Sequence, residues 1–222
     1  FSTYLKPLKR WQASATPYTL YAKPQITLAS DALEETLITL RTIKNGIIAV
    51  GKIAGKKDEE AVLKLAAKLN WPVFADVTSG LRLGHHQKQI IHHFDHILSF
   101  KGAEKLPVDG ILHLGGRLTS NRWLQFIKTI QPEFYVMVLK HPLRNDPHHV
   151  VNLRLQSAVG DFCDAVAAEL PQRKATDFLE LMQKAEFVCT QACTDQLSKT
   201  DATLSEPVIA YNLTQMLPEN SG

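Results

Sequence analysis

The run Asp109-Gly-Ile-Leu-His-Leu-Gly-Gly-Arg-Leu-Thr-Ser120, with Asn121-Arg-Trp-Leu-Gln-Phe-Ile-Lys-Thr-Ile130 behind it, decides the fold. A short, almost wholly apolar stretch ends in paired glycines, and apolar residues then recur at helical spacing through Trp123, Phe126 and Ile127. That is a strand, a tight turn and a helix. A strand without polar alternation is covered on both faces, and helices joining such strands imply parallel pairing with right-handed crossovers.

The same unit recurs on either side. Leu33, Leu37 and Leu40 predict a helix from Asp31 that stops at Asn45-Gly46. Gly46-Ile-Ile-Ala-Val50 predicts a strand, and Asp58-Glu-Glu60 opens a helix that buries Val62, Leu63, Ala66 and Leu69. Pro72 stops it, and Val73-Phe-Ala75 is a second strand. Strands are expected at 133–139 and 150–155, and helices at 119–130, 161–170 and 175–198. The last carries a buried stripe of Phe178, Leu181, Met182, Ala185, Val188, Cys189 and Ala192, and another helix begins at Ser205. Between His85 and Phe100, Ile90, Ile91, Phe94 and Ile97 have helical spacing, whereas residues 97–100 also read as a strand. The fold class is α/β, a Rossmann-like doubly wound, mainly parallel sheet with helices on both faces.

The composition is that of a single globular domain with tails: 222 residues, 45% hydrophobic and 21% charged. Twenty-five basic residues against 22 acidic ones, a net charge of +3 without like-charge blocks, give no nucleic-acid footprint. No apolar run approaches the roughly 20 residues a membrane helix needs. Three cysteines, Cys163, Cys189 and Cys193, all on predicted helices, suit a reducing compartment, with the cytoplasm as the default. Residues 1–28 hold Pro7, Pro17 and Pro24 and read as an extended linker; they lack a signal-peptide pattern. The missing initiator Met is expected of a processed or excised chain.

Few residues advertise chemistry. The Gly115-Gly116 turn stands where a phosphate binds in nucleotide folds, yet it matches neither G-x-G-x-x-G nor a P-loop, and paired glycines at such a turn more often serve close strand-helix packing. Arg117 and Arg144 each follow a strand and so emerge at the carboxyl edge, either as an anion site or as solvent-facing charges. Arg122 reaches back to that crevice or projects toward a neighbouring domain. His92 and His96 are four apart, but no third metal ligand has a recognisable spacing. Cys189 and Cys193 read as small hydrophobes. No nucleophile elbow and no buried acid or base stands out.

Together Gly46-Ile-Ile-Ala-Val-Gly51, Trp71-Pro-Val-Phe-Ala-Asp-Val-Thr-Ser-Gly-Leu-Arg82, the Asp109 to Ser120 run leading to Arg122, and Arg144-Asn-Asp-Pro-His-His149 resemble the middle domain of the 2-succinyl-5-enolpyruvyl-6-hydroxy-3-cyclohexene-1-carboxylate synthase family. The Trp71 block is the specific one; the glycine turn is similar to middle domains across thiamine-diphosphate enzymes generally. The resemblance implies residues 1–28 as interdomain linker, 29–200 as central domain and 201–222 as the start of a diphosphate-binding domain. It implies a parent enzyme that decarboxylates 2-oxoglutarate on thiamine diphosphate with Mg2+ or Mn2+, and adds the succinyl unit to isochorismate for menaquinone or phylloquinone.

The resemblance places catalytic, cofactor and metal residues in the other domains of that parent, a homodimer or homotetramer, and leaves this chain inactive alone. Where the family has a Lys-Arg pair facing substrate, this sequence has Asn121-Arg122. Arg122 is thereby expected to hold a substrate carboxylate, and Asn121 to offer neutral hydrogen bonds. Arg117 and Arg144 are expected to frame a regulatory pocket for a pathway carboxylate. Two alternatives stand beside this reading: a stand-alone module for a nucleotide or small anion, and the middle domain of another thiamine-diphosphate 2-oxo-acid decarboxylase.

Overall fold

The strand Gly46–Val50 (β1) pairs with Val73–Ala75 (β2) on one side and Gly110–Leu114 (β3) on the other; Phe134–Leu139 (β4) and Leu153–Gln156 (β5) continue the sheet. All four pairings are parallel, in the order β2-β1-β3-β4-β5. The register aligns Ala75, Val50, Leu114, Val138 and Leu155 in one row, so the strands end together at one carboxyl edge. The computed structural model describes residues 6, 8–9, 11–14, 16–21, 26–198 and 205–218. Parts of the expected linker, residues 199–200 of the expected central domain, and residues 201–204 and 219–222 of the expected following domain lie outside these.

Side chains of β1 to β4 alternate between two cores, which is why those four strand sequences carry no polar face, whereas the edge strand β5 keeps Arg154 and Gln156 out of the core. Ile48, Val50, Val73, Leu112, Leu114, Val136 and Val138 meet Ser30–Thr42 (α1), Lys56–Leu69 (α2) and Val159–Glu169 (α5). Ile47, Ala49, Phe74, Ile111, Tyr135 and Met137 meet Phe94–Ile97 (α3), Asn121–Ile130 (α4) and Asp177–Leu197 (α6). The doubly wound class is therefore observed. Glu206–Met216 (α7) has no buried residue.

Several expectations shift. Among the described N-terminal residues, Lys6, Leu8, Lys9, Trp11 and Gln12 are helical rather than extended, since helix-compatible residues fill the interval between Pro7 and Pro17. α2 starts at Lys56 instead of Asp58, with Gly55 before it at φ 124°. β5 begins at Leu153 rather than Val150, because the Asp146 carboxylate takes the amides of Val150 and Val151 at 3.0 and 3.2 Å. On α6 the buried side is Phe178, Leu179, Met182 and Cys189, whereas Leu181, Val188 and Ala192 are exposed. The 85–100 segment is neither long helix nor strand: only α3 is helical, held by Phe94 stacked on Phe74 at 5.1 Å.

The loops leaving β1 and β3 touch backbone to backbone. Gly51 donates to Leu114 O at 3.0 Å and Gly116 to Lys52 O at 2.9 Å. A Cβ on Gly51 would stand 1.8 Å from Gly116 O, and one on Gly115, at φ 77°, 2.5 Å from Lys52 O. Only glycine permits that approach. Gly51→Ala is expected to cost about 2–3 kcal/mol and to lower the melting midpoint by about 4–12 °C; a thermal melt within a degree of the parent would contradict the packing role.

Candidate functional site

At the carboxyl edge, where phosphate-binding folds present free amides, the chain supplies its own anions. Asp76, at the exit of β2, accepts from Thr78 N and Oγ1 at 3.0 and 2.7 Å on one oxygen, and from Thr119 N and Oγ1 at 2.6 and 2.8 Å on the other. It thereby ties the end of β2 to the start of α4, across β1. Asp58 does the same at α5, accepting from Ala54 N at 3.0 Å and Gly160 N at 3.1 Å. The amide of Gly115 goes to Val138 O, that of Gly116 to Lys52 O, and Ser120 Oγ caps Trp123 N. The glycine turn itself is packing: the amides of Gly115 and Gly116 are taken by backbone oxygens and are not turned toward a phosphate.

Burial pushes the Asp76 carboxyl up, but the hydrogen bonds from Thr119 and Thr78 outweigh it and hold it below the ordinary carboxylate range. Asp76 is buried, at 2% exposure, a carboxylate that sequence reasoning passed over. Its spacing to Thr78 is an Asx-turn signal, but its second partner lies far along the chain.

Between β4 and β5 the crossover, residues 140–152, contains no helix. It leaves over β3 and β4 a cavity of ≈ 340 Å³, a size suited to a small ligand. The floor is Trp123, Ile127, Tyr135 and Met137; Arg117, Arg144 and His149 stand at its polar end. Arg144 Nη2 donates to His149 Nδ1 at 2.6 Å, and its Nη2 lies 3.8 Å from the Asp146 carboxylate that folds the crossover. Arg117 and Arg144 are both exposed and line this one cavity.

Beneath them His113 is fully buried. Gly116 O can only accept, so Nε2 donates to it at 2.8 Å and Nδ1 accepts from Tyr135 Oη at 2.8 Å. Burial pushes the His113 imidazole down and the Tyr135 phenol up, so both are neutral at pH 7. The pair fixes the glycine turn from below.

Arg122 does not reach that cavity. It is half-exposed in the first turn of α4, lining a separate groove with Asn121, Leu98, Phe100, Gln125 and Phe126. Its Nη1 donates to the Asp95 backbone oxygen at 3.2 Å and to Asp95 Oδ2 at 3.3 Å. His92 and His96 do not converge: His93, between them, pairs with Glu186 at 2.9 Å, and among the described residues no group of three or more His, Cys, Asp or Glu is placed to hold a metal. Cys163, Cys189 and Cys193 are free thiols, and no helix among the described residues is long and apolar enough to cross a membrane.

A family model described as "Middle domain of thiamine pyrophosphate" matches residues 2–222. The chain is 31% identical to the protein PHYLLO, chloroplastic, of Arabidopsis thaliana, over 99% of this chain and 14% of that one. It is 28% identical to a 2-succinyl-5-enolpyruvyl-6-hydroxy-3-cyclohexene-1-carboxylate synthase of Rubrobacter xylanophilus, over 92% of this chain and 36% of that protein. The synthase of the same name from Shewanella frigidimarina is 36% identical over 73% of this chain and 27% of its own length. The chain thus spans about a third or less of these relatives.

Asp76→Asn is expected to lose about 1–3 kcal/mol of stability at pH 7. Because the folded carboxyl is depressed, its contribution is present above about pH 4 and lost as pH falls through the folded value. The gap between variant and parent, followed by denaturant midpoints, therefore narrows from pH 6 to pH 3; a constant gap would refute the assignment.

Proposed function

Because this chain belongs to the thiamine pyrophosphate middle-domain family, we propose that it is the central domain of a synthase that decarboxylates 2-oxoglutarate and adds the resulting succinyl unit to isochorismate, a thiamine-diphosphate-dependent transferase. The observation that carries the reading is the similarity, over most of this chain, to synthases named for that product. Bound thiamine diphosphate supplies the carbanion chemistry. The residues of this chain do not fit that cofactor: the amides of Thr119 ahead of α4 and Gly160 in the first turn of α5 are held by Asp76 and Asp58, and those carboxylates, the nearest candidates for a metal, are filled by N–H and O–H donors. Cofactor and Mg2+ or Mn2+ belong to the parent's other domains, with residues 1–28 as the linker from the first and 201–222 as the start of the third. The parent is a homodimer or homotetramer, and this chain alone is inactive.

Arg122 then has a defined task. A guanidinium offers a planar pair of donors to a carboxylate, and Asn121 beside it adds neutral donors and an acceptor. The substrates 2-oxoglutarate and isochorismate both carry carboxylates, and the groove is open. Arg117 and Arg144 act elsewhere. Their cavity pairs an apolar floor with two cations, which suits an aromatic carboxylate of the pathway acting as a regulator. Three free cysteines fit a reducing compartment, the cytoplasm, although the plant relative's name places that protein in the chloroplast.

In the full-length enzyme, Arg122→Ala is expected to raise KM for one carboxylate substrate by about 10-fold or more. Unchanged steady-state kinetics would remove Arg122 from the site. Titration with hydroxynaphthoates by calorimetry is expected to show binding that Arg117→Ala and Arg144→Ala each weaken by about 10-fold; identical isotherms for all three proteins would dismiss the regulatory pocket.

A further inference from the structure

Arg122 has one donor group engaged and the rest open. Nη1 is held twice by a single residue, through the backbone oxygen of Asp95 at 3.2 Å and its Oδ2 at 3.3 Å. No acceptor for Nε or Nη2 is found among the described residues. Asp95 Oδ1 meanwhile accepts from Ser120 Oγ, the same hydroxyl oxygen that caps Trp123 N at the start of α4. One carboxylate therefore fixes both the start of the helix that carries Arg122 and one edge of its guanidinium.

Asp95 is itself well anchored. It sits in the four-residue helix α3, whose neighbours Phe94 and Ile97 are buried in the second core, Phe94 against Phe74 and Trp123 alongside. The arginine thus rests on a core-anchored acceptor rather than on a mobile surface pair, although the pair itself is only half-shielded. An exposed ion pair of this kind adds little stability. What it does supply is orientation: a long side chain with high rotamer entropy is held with its Nε/Nη2 edge free for a bidentate carboxylate.

We propose that Asp95 is a positioning residue for substrate binding, holding the Nη1 side of Arg122 so that the opposite edge of the guanidinium meets the substrate carboxylate. This rests on the reading of Arg122 as a substrate contact and adds the device that orients it. Asp95 touches no substrate. Its effect on substrate acts through Arg122, on the ground-state complex, and so is felt in KM rather than kcat, whereas its contact with Ser120 Oγ acts on the start of α4.

The test is a double-variant cycle in the full-length enzyme, comparing Asp95→Asn, Arg122→Ala and the combination, with Ser120→Ala to report the cost of loosening the helix start alone. The expected result is a KM for one carboxylate substrate raised about 5- to 10-fold by Asp95→Asn with kcat within about 2-fold. Asp95→Asn adds nothing further once Arg122 is alanine, Asp95→Glu recovers part of the loss, and Ser120→Ala leaves KM within about 2-fold. If Asp95→Asn raises KM equally in the Arg122→Ala background, or Ser120→Ala reproduces its effect, positioning is overturned while Arg122 remains a substrate contact. If Arg122→Ala leaves KM unchanged, both readings fall together.

Discussion

The carboxylate of Asp76 is the tie on which the carboxyl edge depends. Four donors from two distant segments converge on it, and through it the exit of β2 is joined to the start of α4. Where α4 begins sets where Ser120, Asn121 and Arg122 stand. The same device recurs with Asp58 at α5 and Asp146 in the β4–β5 crossover. In a parallel α/β fold the amides at that edge are the usual seat of a phosphate. Here the amides of Gly115, Gly116, Thr119 and Gly160 are satisfied internally, and the edge serves as a frame that presents arginines.

That frame leaves two openings, and they differ in character. The cavity under the β4–β5 crossover lies between α4 and a crossover without a helix, and it combines an apolar floor with two arginines. The groove at Arg122 lies beyond Ser120, on the far side of α4's first turn from that cavity's arginines, and Asp95 holds its arginine. The glycine contact between the β1 and β3 loops, with neutral His113 and Tyr135 beneath it, holds the stretch between them in place.

Much of this was legible in the sequence, for physical reasons. Unbroken apolar runs such as Ile47-Ile-Ala-Val50 declare two-sided burial, and the paired glycines at 115–116 declare a close approach. The sharing of one edge by Arg117 and Arg144 follows from parallel pairing. The carboxylates were not legible, because their roles are long-range: Asp76 finds Thr119, Asp58 finds Gly160 and Asp95 finds Arg122 only once the chain has folded. The 85–100 segment misled for a related reason. Its apolar spacing is helical, but the residues are spent on core contacts from a loop, with Ile90 bridging Val73 and Phe94 stacking on Phe74. On α6, apolar periodicity could not distinguish the buried Met182 from the exposed Leu181 and Val188.

Occupation of the Gly115, Gly116, Thr119 and Gly160 amides by the chain's own acceptors is what separates this edge from a phosphate site. It is tested most directly by following the backbone amide resonances of Gly115, Gly116, Thr119 and Gly160 in an NMR titration with a nucleoside diphosphate. These four resonances are expected not to move at millimolar ligand. Saturable shifts of all four at micromolar ligand would show that the edge is a phosphate site after all, and would contradict it.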